Sequence, residues 1–304
     1  MNNEADINLE LYKTFIKVAE NNSFSKAARL LFISQSAVSQ SIRLLENKLG
    51  HKLFIRKNKN VMLTKEGEIL YNYVSRAYSI ILAAQHAMSE MKNLQSGHLT
   101  IAVSDTICKH YLMPFIHEFI SRYPSIKLQI FNRTSSQILS LIESGKADLG
   151  IITMQEYSSG ISLYEWIKVE DIFAASREYC TNNNLINKAI SLQELTSFPL
   201  LLLDKNSSTR KNLDRYLASL NLFVEPELEL ESNDLLIEFA KCSKGIAHVL
   251  KKSVLKDISE GQLVEINLLE PLPCRHIAIA LPNSYPLSTA CRMFLKLLNI
   301  KYLE

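Results

Sequence analysis

Four apolar residues, Val38, Ile42, Leu45 and Leu49, recur at steps of four, three and four and stop at Gly50. That stripe fits one face of a short α-helix, with Gly50 placed where a helix ends in a left-handed backbone. Ser34 stands before it as an N-cap. Phe32 and Ile33 alone separate it from a second helical pattern carrying Ala28 and Leu31, for which Ser25 is the expected cap. Upstream, Leu11, Phe15, Val18 and Ala19 predict a first helix, broken near "NNSFS". Helices this short are marginal alone and must bury their stripes against one another. Two strand-like segments follow, "HKLFIRK" and "NVMLTK", joined by the turn-tolerant "NKN". Three helices and a hairpin describe a winged helix-turn-helix.

The opposite face of the third helix carries Gln35, Ser36, Ser39, Gln40 and Arg43, residues that form a helix less well than Ala, Glu or Lys. A merely solvated face would show long charged side chains in i,i+4 pairs, and none occurs before Glu46. Each of these side chains can instead hydrogen-bond base edges or phosphates in a DNA major groove. Charge agrees. The net +3 of the chain is unevenly spread: residues 1–66 hold eleven Lys and Arg against six Asp and Glu, and the remainder is slightly acidic. Between Arg43 and Lys65, seven basic residues, among them Arg56, Lys57 and Lys59, face the single acid Glu46. A polyanionic partner suits such a run.

From Thr64 to about Leu94 there is no Pro and no break. Leu70, Val74, Ala77, Ile81, Ala84, Met88 and Met91 alternate steps of four and three, the pattern of a helix about 45 Å long that pairs with its own copy. Beyond "GHLTIAVSD" the texture becomes α/β. Strands are expected at Leu99–Val103, Ile126–Phe131 and Asp148–Thr153, with helices from about Tyr111 to Arg122 and from Ser135 to Ser144, giving a parallel sheet. A second set runs from Trp166 through "DIFAAS", "FPLLLL", "TRKNLDRYLASL", "EPELELE", "NDLLIEFAKCSKG" and "AHVL". A final strand and helix, "RHIAIALP" and "STACRMFLKLLN", follow that inserted half, so the chain crosses between two lobes twice.

The stretch "SFSKAARLLFISQSAVSQSIRLLENKLGHKLFIRKNKNVMLTKEGEIL" resembles, without a gap, the DNA-binding segment of LysR-type transcriptional regulators. The likeness extends in layout over essentially the whole chain. It implies a multi-domain protein: a mostly α winged helix-turn-helix over 1–63, a linker and dimerisation helix over 64–95, and an effector domain over 96–304. The effector domain is expected to be a two-lobed α/β fold of the periplasmic-binding-protein type, with lobe I at about 96–165 and 268–304 and lobe II at about 166–267. Family membership implies a homodimer or a dimer of dimers (homotetramer), promoter DNA and a small-molecule effector as partners, and RNA polymerase as a further candidate. Ser34, Gln35, Ser36 and Ser39 match the start of the family's recognition helix, Arg43 a position that commonly contacts DNA, and Arg56 the wing arginine. Gln40 stands where relatives often carry Arg.

In the resembling domains the effector lies between the lobes at strand C-terminal ends. Here that implies Ser104, Asp105 and Thr106 after the first strand, Arg133, Thr134 and Ser135 after the second, and Thr153 ending the third. In the other lobe "NSSTRKNLD" places Ser207, Ser208, Thr209 and Arg210 at a helix start. Hydroxyls, arginines and helix N-termini favour an anion, whereas Asp105 favours a group of the opposite sign, so the effector is expected to be anionic or zwitterionic.

Other functions are weaker readings. No nucleophile, base and orienting residue can be assembled from spacing, and no glycine loop for phosphate appears. Cys108, Lys109, His110 and His117 lack the spacing of a metal site, so neither metal nor other cofactor is expected. The five cysteines are far apart and odd in number, which predicts reduced, mostly buried thiols. No apolar run approaches the roughly 20 residues of a membrane span, and "MNNEADINLE" is unlike a signal peptide, so a cytoplasmic location is expected.

Overall fold

The structure, a computed structural model, describes residues 7–57, 60–92, 97–154, 160–242, 245–283 and 286–301. It divides into two compact units, Met1–Ser89 and Glu90–Glu304.

The first unit contains α1 (Leu9–Asn21), α2 (Phe24–Leu31), α3 (Gln35–Leu49), the antiparallel hairpin of β1 (Phe54–Lys57) and β2 (Asn60–Leu63), and α4 (Lys65–Lys92). The cap of α2 is Ser23, not Ser25: its extended backbone turns the hydroxyl to accept from the Lys26 N–H at 3.2 Å, while Ser25 lies inside the helix. Between α2 and α3 the chain reverses at Phe32, whose left-handed backbone (φ 55°) lets the Ile33 N–H reach Ala28 O at 3.1 Å. The stripe of α3 is buried as expected at Val38, Ile42 and Leu45, against Phe15, Ala27 and Leu53.

Glu46 is not part of the solvated charge run. It is 7% exposed, and its carboxylate accepts from the Leu53 N–H at 2.9 Å and from Lys52 Nζ at 2.7 Å. One buried acid thus fastens the start of the wing to α3. Gly67 has a similar local cause. Its N–H donates to the Thr64 hydroxyl that caps α4, and a Cβ there would collide with the Leu53 carbonyl.

On helix α4 the residues of the expected seam divide. Leu70 and Val74 pack, with Tyr71 and Tyr78, on the core of their own winged domain. Ala77, Ala84 and Met88 of that seam are exposed, together with Ile69, Tyr73 and Ile80 beside them, and Ile81 is half-exposed. The side chain of Met91 lies outside the described residues.

The second unit begins with β3 (Gly97–Val103), α5 (Asp105–Ile107), a π-helical turn (Cys108–Leu112), α6 (Met113–Arg122), β4 (Ile126–Asn132), α7 (Ser135–Glu143), β5 (Leu149–Thr153) and β6 (Ile161–Val169). The helical segment expected from Tyr111 therefore starts at Asp105 and passes through a π turn. Next come β7 (Asp171–Ser176), α8 (Arg177–Asn182), β8 (Ala189–Ile190), α9 (Leu192–Leu195), β9 (Leu200–Leu203), α10 (Ser208–Ser219), β10 (Leu228–Leu230) and α11 (Asn233–Lys241). The chain closes with β11 (Ile246–Leu250), α12 (Lys251–Ser259), β12 (Leu263–Glu265), β13 (Asn267–Leu268), β14 (Arg275–Pro282) and α13 (Thr289–Leu297).

Two five-stranded sheets result, ordered β4-β3-β5-β14-β6 and β10-β9-β11-β7-β12. They share one plan. In each, the first three strands are parallel, and the strand that has crossed from the other lobe, β14 or β7, runs antiparallel to both of its neighbours. The sheets are mixed, not parallel, because each crossing strand enters against the direction of its hosts. The first crossing falls at Glu170, between β6 and β7, a few residues later than the expected 165.

The two crossing strands meet in a buried ion pair. Arg275, first residue of β14, and Asp171, first residue of β7, bond through Nε to Oδ2 and through Nη2 to Oδ1, the latter at 2.7 Å. Their side chains are 7% and 5% exposed. Removing one member of such a pair strands a buried charge, at a cost of roughly 3–5 kcal/mol. We expect Asp171→Ala to lower the unfolding free energy of the effector domain by about that amount in urea titration, and Asp171→Leu with Arg275→Met to recover most of it.

Candidate nucleic-acid interface and effector cleft

On α3 the burial of Val38, Ile42 and Leu45 fixes which side chains point outward. Gln35, Ser36, Gln40 and Arg43 are exposed and Ser39 is half-buried. Ser34 caps the helix, accepting from the Ala37 N–H at 3.1 Å, and its hydroxyl also meets that of Ser36 at 2.8 Å. Gln35 is held by Ser25, whose hydroxyl donates to its Oε1 at 2.9 Å. The serine misread as a cap thus orients the first side chain of the polar face. Arg56 and Lys57 occupy β1 of the wing, their side chains outside the described residues, as is Lys59 altogether.

In the second unit, register brings the expected effector residues together. Val103 lies opposite Asn132 on one side and Ile151 on the other, so β3, β4 and β5 end side by side. Leu203 lies opposite Leu230, which does the same for β9 and β10. The strand ends and the helix starts after them enclose a cleft of about 810 Å³. Ser104, Asp105, Thr106, Arg133, Thr134, Ser135, Thr153, Ser207, Ser208 and Thr209 all line it.

Arg210 does not. It is 3% exposed, with Nε on Asp214 at 2.7 Å and Nη1 on Glu229 at 3.2 Å and Leu203 O at 3.1 Å. Its charge is matched within lobe II, which removes it from the expected anion site. Thr153 is reassigned in part: it is 6% exposed, and its hydroxyl accepts from Arg275 Nη1 at 3.3 Å. Arg133 is exposed and donates to the Asn132 carbonyl at 2.6 Å.

Ser104 and Ser207 occupy cap positions of α5 and α10 without making a capping hydrogen bond. Their first-turn N–H groups are therefore not covered by the cap side chain. Lobe II adds residues that sequence reasoning passed over: Ser232, Asn233 and Asp234 at the start of α11, Asp204 ahead of α10 and Lys211 in its first turn. The signal was present in "ELESNDLL", a strand followed by a cap and a helix, the same pattern that marked Ser207. The buried Nδ2 of Asn233 has no hydrogen-bond partner, a rare state for such an atom. Among the described residues, two hydrogen bonds between cleft-lining side chains tie the lobes, Ser135 Oγ with Ser208 Oγ at 2.7 Å and Lys109 Nζ to Asp234 Oδ2 at 2.7 Å.

The cysteines are all free thiols, and the expectation of mostly buried ones is corrected. Cys180 and Cys291 are buried, Cys108 is half-buried, and Cys242 and Cys274 are exposed. Burial pushes the Cys108 thiol up, Cys180 up to about 11 and Cys291 well above its ordinary value, so none of these three favours a thiolate. Among the described residues no group of three or more His, Cys, Asp and Glu is placed to hold a metal ion, and no helix is long and apolar enough to cross a membrane.

Comparison with known proteins agrees with this geometry. Residues 9–68 match the model of the bacterial regulatory helix-turn-helix protein, lysR family, and residues 92–301 match the LysR substrate binding domain. The chain is 28% identical to a probable RuBisCO transcriptional regulator of Cyanophora paradoxa, over 96% of this chain and 91% of that one. It is 27% identical to the HTH-type transcriptional activator CmpR of Synechocystis, over 94% and 93%. In fold it is similar to a full-length OxyR variant of Pseudomonas aeruginosa, with a TM-score of 0.73 at 18% identity and 98% coverage of each chain. A helix-turn-helix with an outward polar face, followed by a two-lobed domain with a cleft, makes this chain a member of the LysR family: a DNA-binding transcriptional regulator whose activity is modulated by a small-molecule effector.

Proposed function

We propose that α3 reads promoter sequence through Gln35, Ser36, Ser39, Gln40 and Arg43, with Ser34 and the helix start on a phosphate, and that Arg56, Lys57 and Lys59 of the wing hold the backbone. The outward, Ser25-oriented placement of Gln35 supports this division most directly. The protein acts by binding and not by catalysis, in the cytoplasm, as a homodimer or dimer of dimers, with RNA polymerase as a downstream partner. The exposed stripe Ile69, Tyr73, Ala77, Ile80, Ala84 and Met88 on α4 is the dimer seam, with Ile81 at its edge.

We also infer a zwitterionic effector in preference to a plain anion. The observation that carries this is Asn233, a buried amide donor without an acceptor in a wall that also holds the starts of α7, α10 and α11. The start of α10, which has no capping side chain, and that amide suit a carboxylate. With Arg210 tied to Asp214 and Glu229, the cleft offers fewer free cations than expected, while Asp105 and Asp204 stand ready for an ammonium group. Arg133 and Lys211 also line the cleft, so both signs of charge are offered there, as a ligand carrying a carboxylate and an ammonium requires.

Gln35→Ala and Arg43→Ala should each reduce discrimination between the target promoter and unrelated DNA by ~1–3 kcal/mol in salt-controlled binding assays. Lys57→Ala should weaken all sequences alike and lower the salt slope by about one. The opposite pattern would reverse the assignment of helix and wing. For the cleft, a thermal-shift screen should favour amino acids over simple carboxylates, with ~2.7 kcal/mol of stabilisation at a hundredfold excess over Kd. Asp204→Asn should weaken the amino-acid hit, and a hit indifferent to Asp204→Asn and Thr106→Val would displace the site.

A further inference from the structure

We propose that a second cavity, which shares Thr153 and Arg275 with the effector cleft but none of its other walls, binds a small, uncharged, mostly apolar molecule through a hydrogen bond to His248. The cavity measures about 480 Å³, within the range of small-molecule sites. It is walled by the second half of α10, at Leu213 and Tyr216, and by the segment from Leu272 to His276. The Asp171–Arg275 pair and His248 line it as well.

His248 is the unusual member. It sits on β11, 4% exposed, with its ring against Phe173 at a centroid distance of 4.9 Å. Among the described residues its imidazole makes no hydrogen bond. Burial drives its pKa down to about 4, so at neutral pH the ring is uncharged and carries one N–H donor and one acceptor nitrogen. His248 lines the cavity, so its ring is open to an occupant there as donor or acceptor.

Charge narrows the occupant. Asp171 and Arg275 neutralise each other, and Arg210 and Asp214, which also act on His248, are joined by their own ion pair. Arg215 lies at the exposed rim, where its Nη1 donates to Asn212. A charged head against His248 would therefore meet no free counter-charge in the interior. Leu213, Leu272 and Pro273 supply apolar wall. A hydroxyl or carbonyl on an aromatic or branched aliphatic body fits both demands. Because Arg275 and Thr153 border cleft and cavity alike, an occupant here rests against the residues that join the lobes. This site is independent of the effector chemistry assigned to the cleft.

Cys274 provides the readout. It is exposed at the mouth of the cavity, whereas Cys242, also exposed, follows α11 and lines neither site. Iodoacetamide modification of both thiols would be followed by peptide mass spectrometry on the full-length protein, with phenol or benzyl alcohol as probe and benzoate as the charged comparison. We expect phenol to slow modification of Cys274 several-fold and saturably, with Cys242 unchanged and benzoate without effect. His248→Phe, which keeps an aromatic ring against Phe173, should abolish the protection while DNA binding persists. Should that variant fail to fold, Leu272→Trp, which fills the cavity from the opposite wall, must abolish it instead. No protection by the neutral probes, equal protection of both cysteines, protection by benzoate as strong as by phenol, or protection that survives these substitutions would overturn the proposal.

Discussion

The ion pair between Asp171 and Arg275 is the constraint on which the effector domain turns. Each residue opens the strand that carries the chain into a lobe, so the pair ties both crossings at one point. A buried pair of this kind contributes little net stability compared with apolar residues of the same size. Its value is positional. A bidentate guanidinium–carboxylate contact fixes direction as well as distance, and Thr153 completes the arrangement by accepting from the remaining Nη1. The three side chains fix the hinge from which the walls of the cleft extend.

How far this was legible in the sequence depended on whether a residue's role was local. The stripe of α3, its cap at Ser34 and its stop at Gly50 are all set within one helix, and periodicity revealed them. The cleft hydroxyls were legible because strand ends and helix starts have a short-range signature. Arg210 was misread because its partners are split. Asp214, four residues on, was visible as an i,i+4 pair, but Glu229 comes from a different strand. Glu46 was counted as one acid in a basic run because nothing local shows that the Leu53 N–H needs its carboxylate. The direction of β7 and β14 was hidden for the same reason: a strand's alternation records which faces are buried and says nothing about which way its neighbours run.

The linker shows a subtler limit. Helix α4 carries two apolar starts, one residue apart, that merge at Ala77, Ala84 and Met88. Leu70 and Val74 form one, and Ile69 and Tyr73 the other. A heptad count selects the start at Leu70 and Val74, and the structure lays those two residues on the winged domain. The proposed seam is the exposed set, where small residues at Ala77 and Ala84 would let a second helix approach closely.

The energies within the effector domain indicate how it can move. Among the described residues, the polar contacts from lobe to lobe away from the hinge are Lys109 with Asp234, Ser135 with Ser208 and Lys252 over the Tyr111 ring, and the ion pair is solvent-exposed on both sides. Exposed pairs are worth about 0–1 kcal/mol. The hinge pair, by contrast, would leave a buried charge costing roughly 3–5 kcal/mol if it were broken. Opening by rotation about an intact hinge is therefore far cheaper than separation of the lobes. With so little holding the cleft closed, a ligand needs only modest preference for one arrangement to shift the balance, since the shift equals its differential affinity for the two. Filling the acceptor role that Asn233 leaves open would provide such a preference, because that contact requires the wall of lobe II to be in place around the ligand.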